Sequence, residues 1–270
     1  MFRNHPLDPA AAYQEVLVPA LMEEWAPRVA AAAGIGPGDR VLDVACGTGV
    51  LTRAAAARAA PGGDVTGLDL DTGMLAVAAR VSPPELRWQQ GSATALPFAD
   101  GSFDAVVSQF GLMFFPEPVV ALREMMRVLR PGGRLAVAVW ASLADTPAYA
   151  AEVALVDRIA GADAAAVLRM PFVLGEVERL RALFSAAGMP DARIALQQGR
   201  GRFPNIRTMV EVEVRDWLAL MGVVLPEEVI ERILGEAHDA LRPHVVEGSS
   251  GVTFKSAAVV ATAARASAAA

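Results

Sequence analysis

The sequence predicts an α/β fold: a doubly wound, mostly parallel sheet. Three observations lead there. Short apolar runs alternate with helical patterns through residues 40–140. Two glycines, Gly47 and Gly49, sit just after the first apolar run. An acidic residue, Asp69, closes the second.

The elements follow in order. "RVLDVA" (40–45) reads as a strand and "VLTRAAAARAA" (50–60) as the helix after it. "DVTGLDL" (64–70) is followed by "TGMLAVAAR" (72–80), then by "LRWQQ" (86–90). "SFDAVVSQF" (102–110) leads into "PVVALREMMRVL" (118–129), and "GRLAVAVW" (133–140) closes the series. Strand then helix, repeated, means right-handed βαβ units on a parallel sheet. "APGG" (60–63), "DGS" (100–102) and "RPGG" (130–133) are turn signals between them. The unbroken apolar character of "LAVAVW" suits a strand covered on both faces.

After Trp140 the rhythm changes. Residues 141–174 carry a helical pattern and no strand; "EVERLRALFSAAG" (176–188) reads as an amphipathic helix and "ARIALQQG" (192–199) as a strand. Residues 203–246 form a second helical insertion. Asn205 is an N-cap there, and Ile206, Val210, Val214, Trp217 and Met221 keep helical spacing. A further helix starts at Pro226, with Val229, Ile233, Ala237 and Leu241 on one face. "VTFKSAAVVATAAR" (252–265) reads as one last strand. The expectation is a single domain over 1–270, with helical lid insertions at about 141–174 and 203–246.

Composition narrows the function. The chain is 270 residues long and 54% apolar, with a formal net charge of −6. Arginines are scattered and Lys255 is the sole lysine, so nucleic acid is not an expected partner. Cys46 is the sole cysteine, which excludes an internal disulfide and fits a reducing compartment. His5, His238 and His244 make no metal spacing with it, so no metal is expected. The start, "MFRNHPLDPAAAYQE", lacks the apolar core of an export signal, and uncharged stretches such as 105–116 are too short to span a membrane. A cytoplasmic protein with no membrane partner is expected, its acceptor a small molecule.

A turn after the first strand of such a sheet lies at the carboxyl edge, where ligands bind. Gly47 and Gly49 have no Cβ, so a ligand can touch backbone. Dinucleotide folds use G-x-G-x-x-G, whose turn holds a pyrophosphate. Here Thr52 stands at the third position, so that fingerprint fails. Asp69, at the end of the second strand, can accept both ribose hydroxyls of a nucleoside. A nucleoside ligand without a phosphate clamp fits S-adenosylmethionine better than NAD.

"VLDVACGTG", "LDLD..ML", "ALPFADGSFDAVVS" and "EMMRVLRPGG" together resemble the class I S-adenosylmethionine-dependent methyltransferases, and most of all the small-molecule group with the ubiquinone/menaquinone-type enzymes. The resemblance is good from Tyr13 to about Trp140 and weakest in the helical insertions. It implies a seven-stranded sheet whose last strand is antiparallel, which agrees with a terminal strand at 252–265. It implies that Asp43, Ala45, Gly47 and Gly49 line the methionine and ribose end of the cofactor. Asp69 would hold the ribose hydroxyls, Leu70 and Met74 would flank the adenine, and Ser92 and Ala93 would sit at its edge. Gln109 would face the transferred methyl. The family usually has Asp-Ala where this chain has Ser92-Ala93, and a serine hydroxyl can still accept a hydrogen bond there.

Each candidate has a plainer reading. Asp69 could cap a helix, although Asp71 is the better cap. Cys46 has no evident base and reads as a small turn residue. Phe114 and Phe115 could face substrate or pack the core. His238 and His244 are weak candidates for a general base, and solvated histidines are the commoner finding. Met209 and Trp217 are candidate substrate contacts, although Trp217 and Met221 at helical spacing are more often core. The expected function is methyl transfer from S-adenosylmethionine to a small, apolar organic acceptor. The alternative is a protein that binds S-adenosylmethionine but has lost transfer, and that catalyses a rearrangement or serves as a binding subunit.

Overall fold

A computed structural model describes residues 9–249 and 251–267. His5 lies outside the described residues.

Seven strands make one sheet: β1 (Arg40–Val44), β2 (Asp64–Asp69), β3 (Arg87–Gln90), β4 (Phe103–Gln109), β5 (Leu129–Trp140), β6 (Arg193–Gln197) and the last strand of the chain (Ala258–Ala264). That last strand runs antiparallel to both β5 and β6, and the other pairings are parallel. The spatial order is β3-β2-β1-β4-β5, then the last strand, then β6. Strand order reverses between β1 and β4, and a crevice at the carboxyl ends of such a pair is where ligands bind in open α/β sheets. The seven strands, the doubly wound order and the antiparallel last strand agree with the sequence.

The region 252–265 departs from its reading as one strand. A second, three-stranded antiparallel sheet contains β7 (Arg200–Phe203), β8 (Val245–Gly248) and β9 (Gly251–Lys255), ordered β7-β9-β8. The large sheet is completed by β10 (Ala258–Ala264). The chain changes sheets between β9 and β10, where the Ser256 amide donates to the Gly199 carbonyl at 3.0 Å and the Ala141 amide to the Ala257 carbonyl at 3.0 Å. No glycine or proline marks that step, so the apolar, β-branched run looks continuous. β5 also starts earlier than its apolar run. The "RPGG" turn is absorbed into it as an irregularity, with the register shifting between Phe103 and Ala105.

The helices are α1 (Pro9–Ala12), which continues as a π-helical stretch Tyr13–Met22, then α2 (Ala26–Ala32), α3 (Val50–Ala59), α4 (Thr72–Val81), α5 (Pro118–Val128), α6 (Pro147–Ala160), α7 (Ala162–Arg169), α8 (Val177–Ala186), α9 (Ile206–Glu211), α10 (Leu218–Leu220) and α11 (Glu227–Leu241). A π-helical turn, Val212–Trp217, joins α9 to α10. Asn205 caps α9, its side chain accepting from the Thr208 amide at 2.8 Å. α2 packs on α3 and against β4 and β5, α4 lies along β2 and β3, and α5 packs on α8. α6 packs on α7 and α11, and α11 on α9. The core runs from Trp25 and Leu42 through Leu122, Met125 and Leu135 to Leu180 and Phe184, all fully buried. Among the described residues no helix is long and apolar enough to cross a membrane.

Candidate active site

The site begins where β1 ends. Ala45, Gly47 and Gly49 all have positive φ (59°, 54° and 82°), so the chain turns tightly from β1 into α3. The Gly49 amide closes the turn on the Cys46 carbonyl at 2.9 Å. A side chain on Gly49 would collide with the Trp88 ring, so this glycine serves close packing under the sheet. A Cβ on Gly47 would meet only Tyr13 Cε1, at 3.8 Å.

Asp69, at the end of β2, ties this turn to the next. Its Oδ2 accepts from the Gly47 amide at 2.8 Å and its Oδ1 from the Asp71 amide at 3.0 Å. Asp71 is the N-cap of α4 and accepts from the Gly73 and Met74 amides. Burial pushes the Asp69 carboxyl above its ordinary range, against the pull of those amides.

Asp43 is 1% exposed. Its Oδ2 accepts from the Thr52 hydroxyl at 2.7 Å, while its Oδ1 is buried and unpartnered. Thr52 therefore has its own work at the position where a dinucleotide fold keeps a glycine. Burial raises the Asp43 pKa to about 7, and the Thr52 hydrogen bond opposes the rise. Gln109 ends β4, with its Nε2 donating to the Met22 carbonyl at 3.1 Å and its Oε1 buried and unpartnered. Phe110 follows at φ 56° and stacks on Trp140 at 3.6 Å.

These groups open onto one cavity of about 1060 Å³. Asp43, Ala45, Gly47, Asp69, Leu70, Met74 and Gln109 line it, as do Tyr13, Leu17 and Leu21 from the N-terminal helix. Leu70 is 69% exposed, an apolar side chain left open at this surface. The helices after β5 supply the other wall. Tyr149, Glu152 and Val153 come from α6, Leu168 from α7, Glu213, Asp216 and Trp217 from the π-helical turn, and Met221 from just beyond α10. Trp217 packs against Phe114 at 5.4 Å and its Nε1 donates to the Val167 carbonyl at 3.3 Å. Phe114 and Phe115 also line the cavity.

Several expected site residues are elsewhere. Gly49 is occupied by the helix start and Trp88, and does not line the cavity. Neither do Ser92 and Ala93: Ser92 Oγ bonds Thr94 Oγ1 at 2.8 Å, and Ala93 is buried in the core. Met209 is core as well, 1% exposed and away from the cavity. His238 faces Asp239 and Glu247 on the exposed side of α11, and His244 is exposed beyond its end, so neither reaches the cavity. Burial pushes the Cys46 thiol well up, against any nucleophilic role. Sequence reasoning missed Tyr149, Glu152 and Glu213. The available signal was a carboxylate set into an apolar helical stripe: Glu152 four residues before Val156, and Glu213 between Val210 and Trp217.

The decisive comparison concerns the first half of the chain. Residues 42–137 match the family described as methyltransferase domain. The match runs from β1 to β5 of the large sheet and includes the turn that follows β1. A demethylmenaquinone methyltransferase of Renibacterium salmoninarum is 48% identical over 124 residues, covering 46% of this chain and 51% of that protein. One from Beutenbergia cavernae is 50% identical over 114 residues, covering 42% of this chain and 46% of that protein. The chain thus spans about half the length of the curated relatives it matches. Among solved structures, a phosphoethanolamine N-methyltransferase of Haemonchus contortus in complex with S-adenosyl-L-methionine shares the fold. Its TM-score is 0.60 at 17% identity, covering 95% of this chain and 56% of that one. The matched segment holds Asp43, Gly47 and Asp69; the second wall of the cavity lies outside it.

Proposed function

We propose that this protein transfers a methyl group from S-adenosylmethionine to a small, apolar, quinone-type ring compound in its reduced, hydroxyl-bearing form. The observation that carries the reading is the cradle of Asp43, Gly47 and Asp69 opening into an apolar cavity with room for two ligands. The residues present fit the cofactor. Asp69 uses one lone pair of each oxygen on backbone amides, and a carboxylate has acceptor sites left for two ribose hydroxyls. Gly47 leaves the approach to the backbone open, and exposed Leu70 with Met74 suits the flat face of an adenine. Asp43 Oδ1 and Gln109 Oε1 are buried acceptors still seeking donors, as the ammonium of the cofactor would supply. Ser92 keeps a weaker claim on the adenine edge, because Thr94 already engages its hydroxyl.

When bound, the cofactor supplies a methyl already activated by its positive sulfur. The protein's task is then orientation and exclusion of water. Holding two reactants in line can contribute about 7–11 kcal/mol. In this reading the helical stretches 141–174 and 203–246 are the lid on a single α/β domain, with Trp217 and Met221 against the acceptor. The quinone-type class rests on the demethylmenaquinone methyltransferase relatives. Reduction is required because an oxidised quinone ring is electron-poor and cannot act as a nucleophile. A reducing cytoplasm suits both the single cysteine and that acceptor state. The test is incubation with methyl-labelled S-adenosylmethionine and a dithionite-reduced naphthoquinone. Label in the ring compound is expected, and its absence, with cofactor binding intact by calorimetry, would overturn the acceptor class.

A further inference from the structure

The wall opposite the cofactor cradle holds a buried carboxyl with no hydrogen-bond partner. Glu152 on α6 is 1% exposed, and neither of its carboxylate oxygens has a hydrogen-bond partner. Glu213, on the π-helical turn, faces the same cavity, with Tyr149 and Asp216 beside them. Among the described residues lining this cavity there is no Lys, Arg or His. The cations carried by these helices are spent outside it: Arg158 on Glu236, Arg169 on Asp157, and Arg215 on Glu211, Glu227 and Glu231. Packing alone does not account for Glu152. A buried carboxyl without partners is costly, and an apolar residue of similar size would fill α6 at less cost. Such a group in a ligand cavity is expected to find its partner on the ligand.

We propose that Glu152 and Glu213 act together as the proton acceptor of the site, receiving the proton of a ring hydroxyl on the acceptor. The proposal rests on the methyl-transfer reading and adds its general base. In the step, the acceptor O–H bond breaks, its electron pair stays on the oxygen, and the proton lands on a carboxylate oxygen of the pair. With one proton on either carboxyl the pair carries one negative charge, and it becomes neutral on taking the second. The negative charge therefore moves onto the ring oxygen and none is created. Two like charges close together hold one proton tightly, which is how carboxylate pairs become bases near neutral pH. The groups around them agree. Burial pushes Glu213 up to about 7, with Asp216 adding to the rise, and burial with the Glu213 charge holds Glu152 well above the carboxylate range. The Tyr149 hydroxyl is pushed up by burial and by both glutamates, so it stays neutral. A base titrating near the working pH is the most effective kind.

Two measurements on the full-length protein decide it. The first needs no turnover. Binding of alpha-naphthol and of its methyl ether is compared by calorimetry at about pH 8. A hydrogen bond to a charged acceptor should make the naphthol bind at least roughly tenfold tighter. In Glu152→Gln that advantage should shrink to under about threefold, with S-adenosylmethionine affinity unchanged as the control for folding. Equal binding of the two probes by the wild-type protein would overturn the proposal. The second is the pH profile of methyl transfer to the reduced naphthoquinone. Glu152→Gln should lower kcat by about 10²–10⁴-fold. Glu213→Gln leaves Glu152 as a single buried carboxyl in place of the pair, so the acid limb of the profile should move from its wild-type position, which a purely structural role would not do. Transfer by Glu152→Gln at the wild-type rate would also overturn it. A wild-type protein that prefers the naphthol yet transfers no label would keep this pair and overturn the acceptor class instead.

Discussion

A single carboxylate, Asp69, organises both turns of the cradle, since its two oxygens take the Gly47 and Asp71 amides. Replacing it by asparagine puts an NH2 donor against one backbone donor and removes the charge. The ligand-free protein should lose about 1–3 kcal/mol of stability, and S-adenosylmethionine affinity should fall at least roughly tenfold. Calorimetry with a parallel thermal melt would check both, and unchanged affinity would show that the ribose hydroxyls are held elsewhere. The place of Asp69 at the cavity was legible because it follows from strand order and spacing. Gly49 was only half legible. Its positive φ belongs to the local turn, but what forbids a side chain is Trp88 on β3, a contact made across the sheet. Thr52 read as a missing glycine until Asp43 came within 2.7 Å of it. Local pattern carries the turn; it does not carry what the turn packs against.

At the scale of elements, the parallel half was legible because its βαβ units are punctuated by glycine and proline, and its central strands β1, β4 and β5 are largely buried. The small sheet of β7, β8 and β9 was not. Its strands are short, β7 is half arginine, and β9 runs into β10 without a breaker. Helical periodicity placed α9 and α11 but could not say that the π-helical turn after α9 lines the cavity and that neither helix does. Met209 and Trp217 show the difference on one helical stretch. Met209 is buried in the core, whereas Trp217 lines the cavity and ties its helix to α7 through the Val167 carbonyl. Met209→Ala should therefore cost about 2–5 kcal/mol of stability, the usual range for a buried methionine. Trp217→Ala should instead lower kcat/KM for the acceptor by roughly tenfold or more and leave cofactor affinity within about twofold. Chemical denaturation and steady-state kinetics on the two variants separate these roles, and the reverse pattern would place the acceptor wall elsewhere.

Over the whole molecule, the buried carboxyls should set an unusual dependence of stability on pH. Asp43 and Glu213 are both raised to about 7, and Asp69 and Glu152 are raised as well, all mainly by burial. In the unfolded chain such groups titrate near 4. Between about pH 4 and 7 the folded state therefore holds protons that the unfolded state has lost. Stability must fall as pH rises through that window, by up to about 1.4 kcal/mol per pH unit for each group. The carboxyls lowered by arginine and backbone amides, Asp104 and Glu124, act in the opposite sense, but their titration lies below the usual carboxylate range and leaves this window untouched. The ligand-free protein should thus be most stable at about pH 4 and lose ground steadily towards about pH 8. S-adenosylmethionine, which is cationic and so favours ionised Asp43, should flatten that slope, and Asp43→Asn should remove part of it without any ligand. Urea midpoints across this range, with and without the cofactor, measure both effects. A ligand-free midpoint that climbs from pH 5 to pH 8 would mean that these carboxyls are ionised in the fold, and hence that the cavity is wetter than its apolar walls imply.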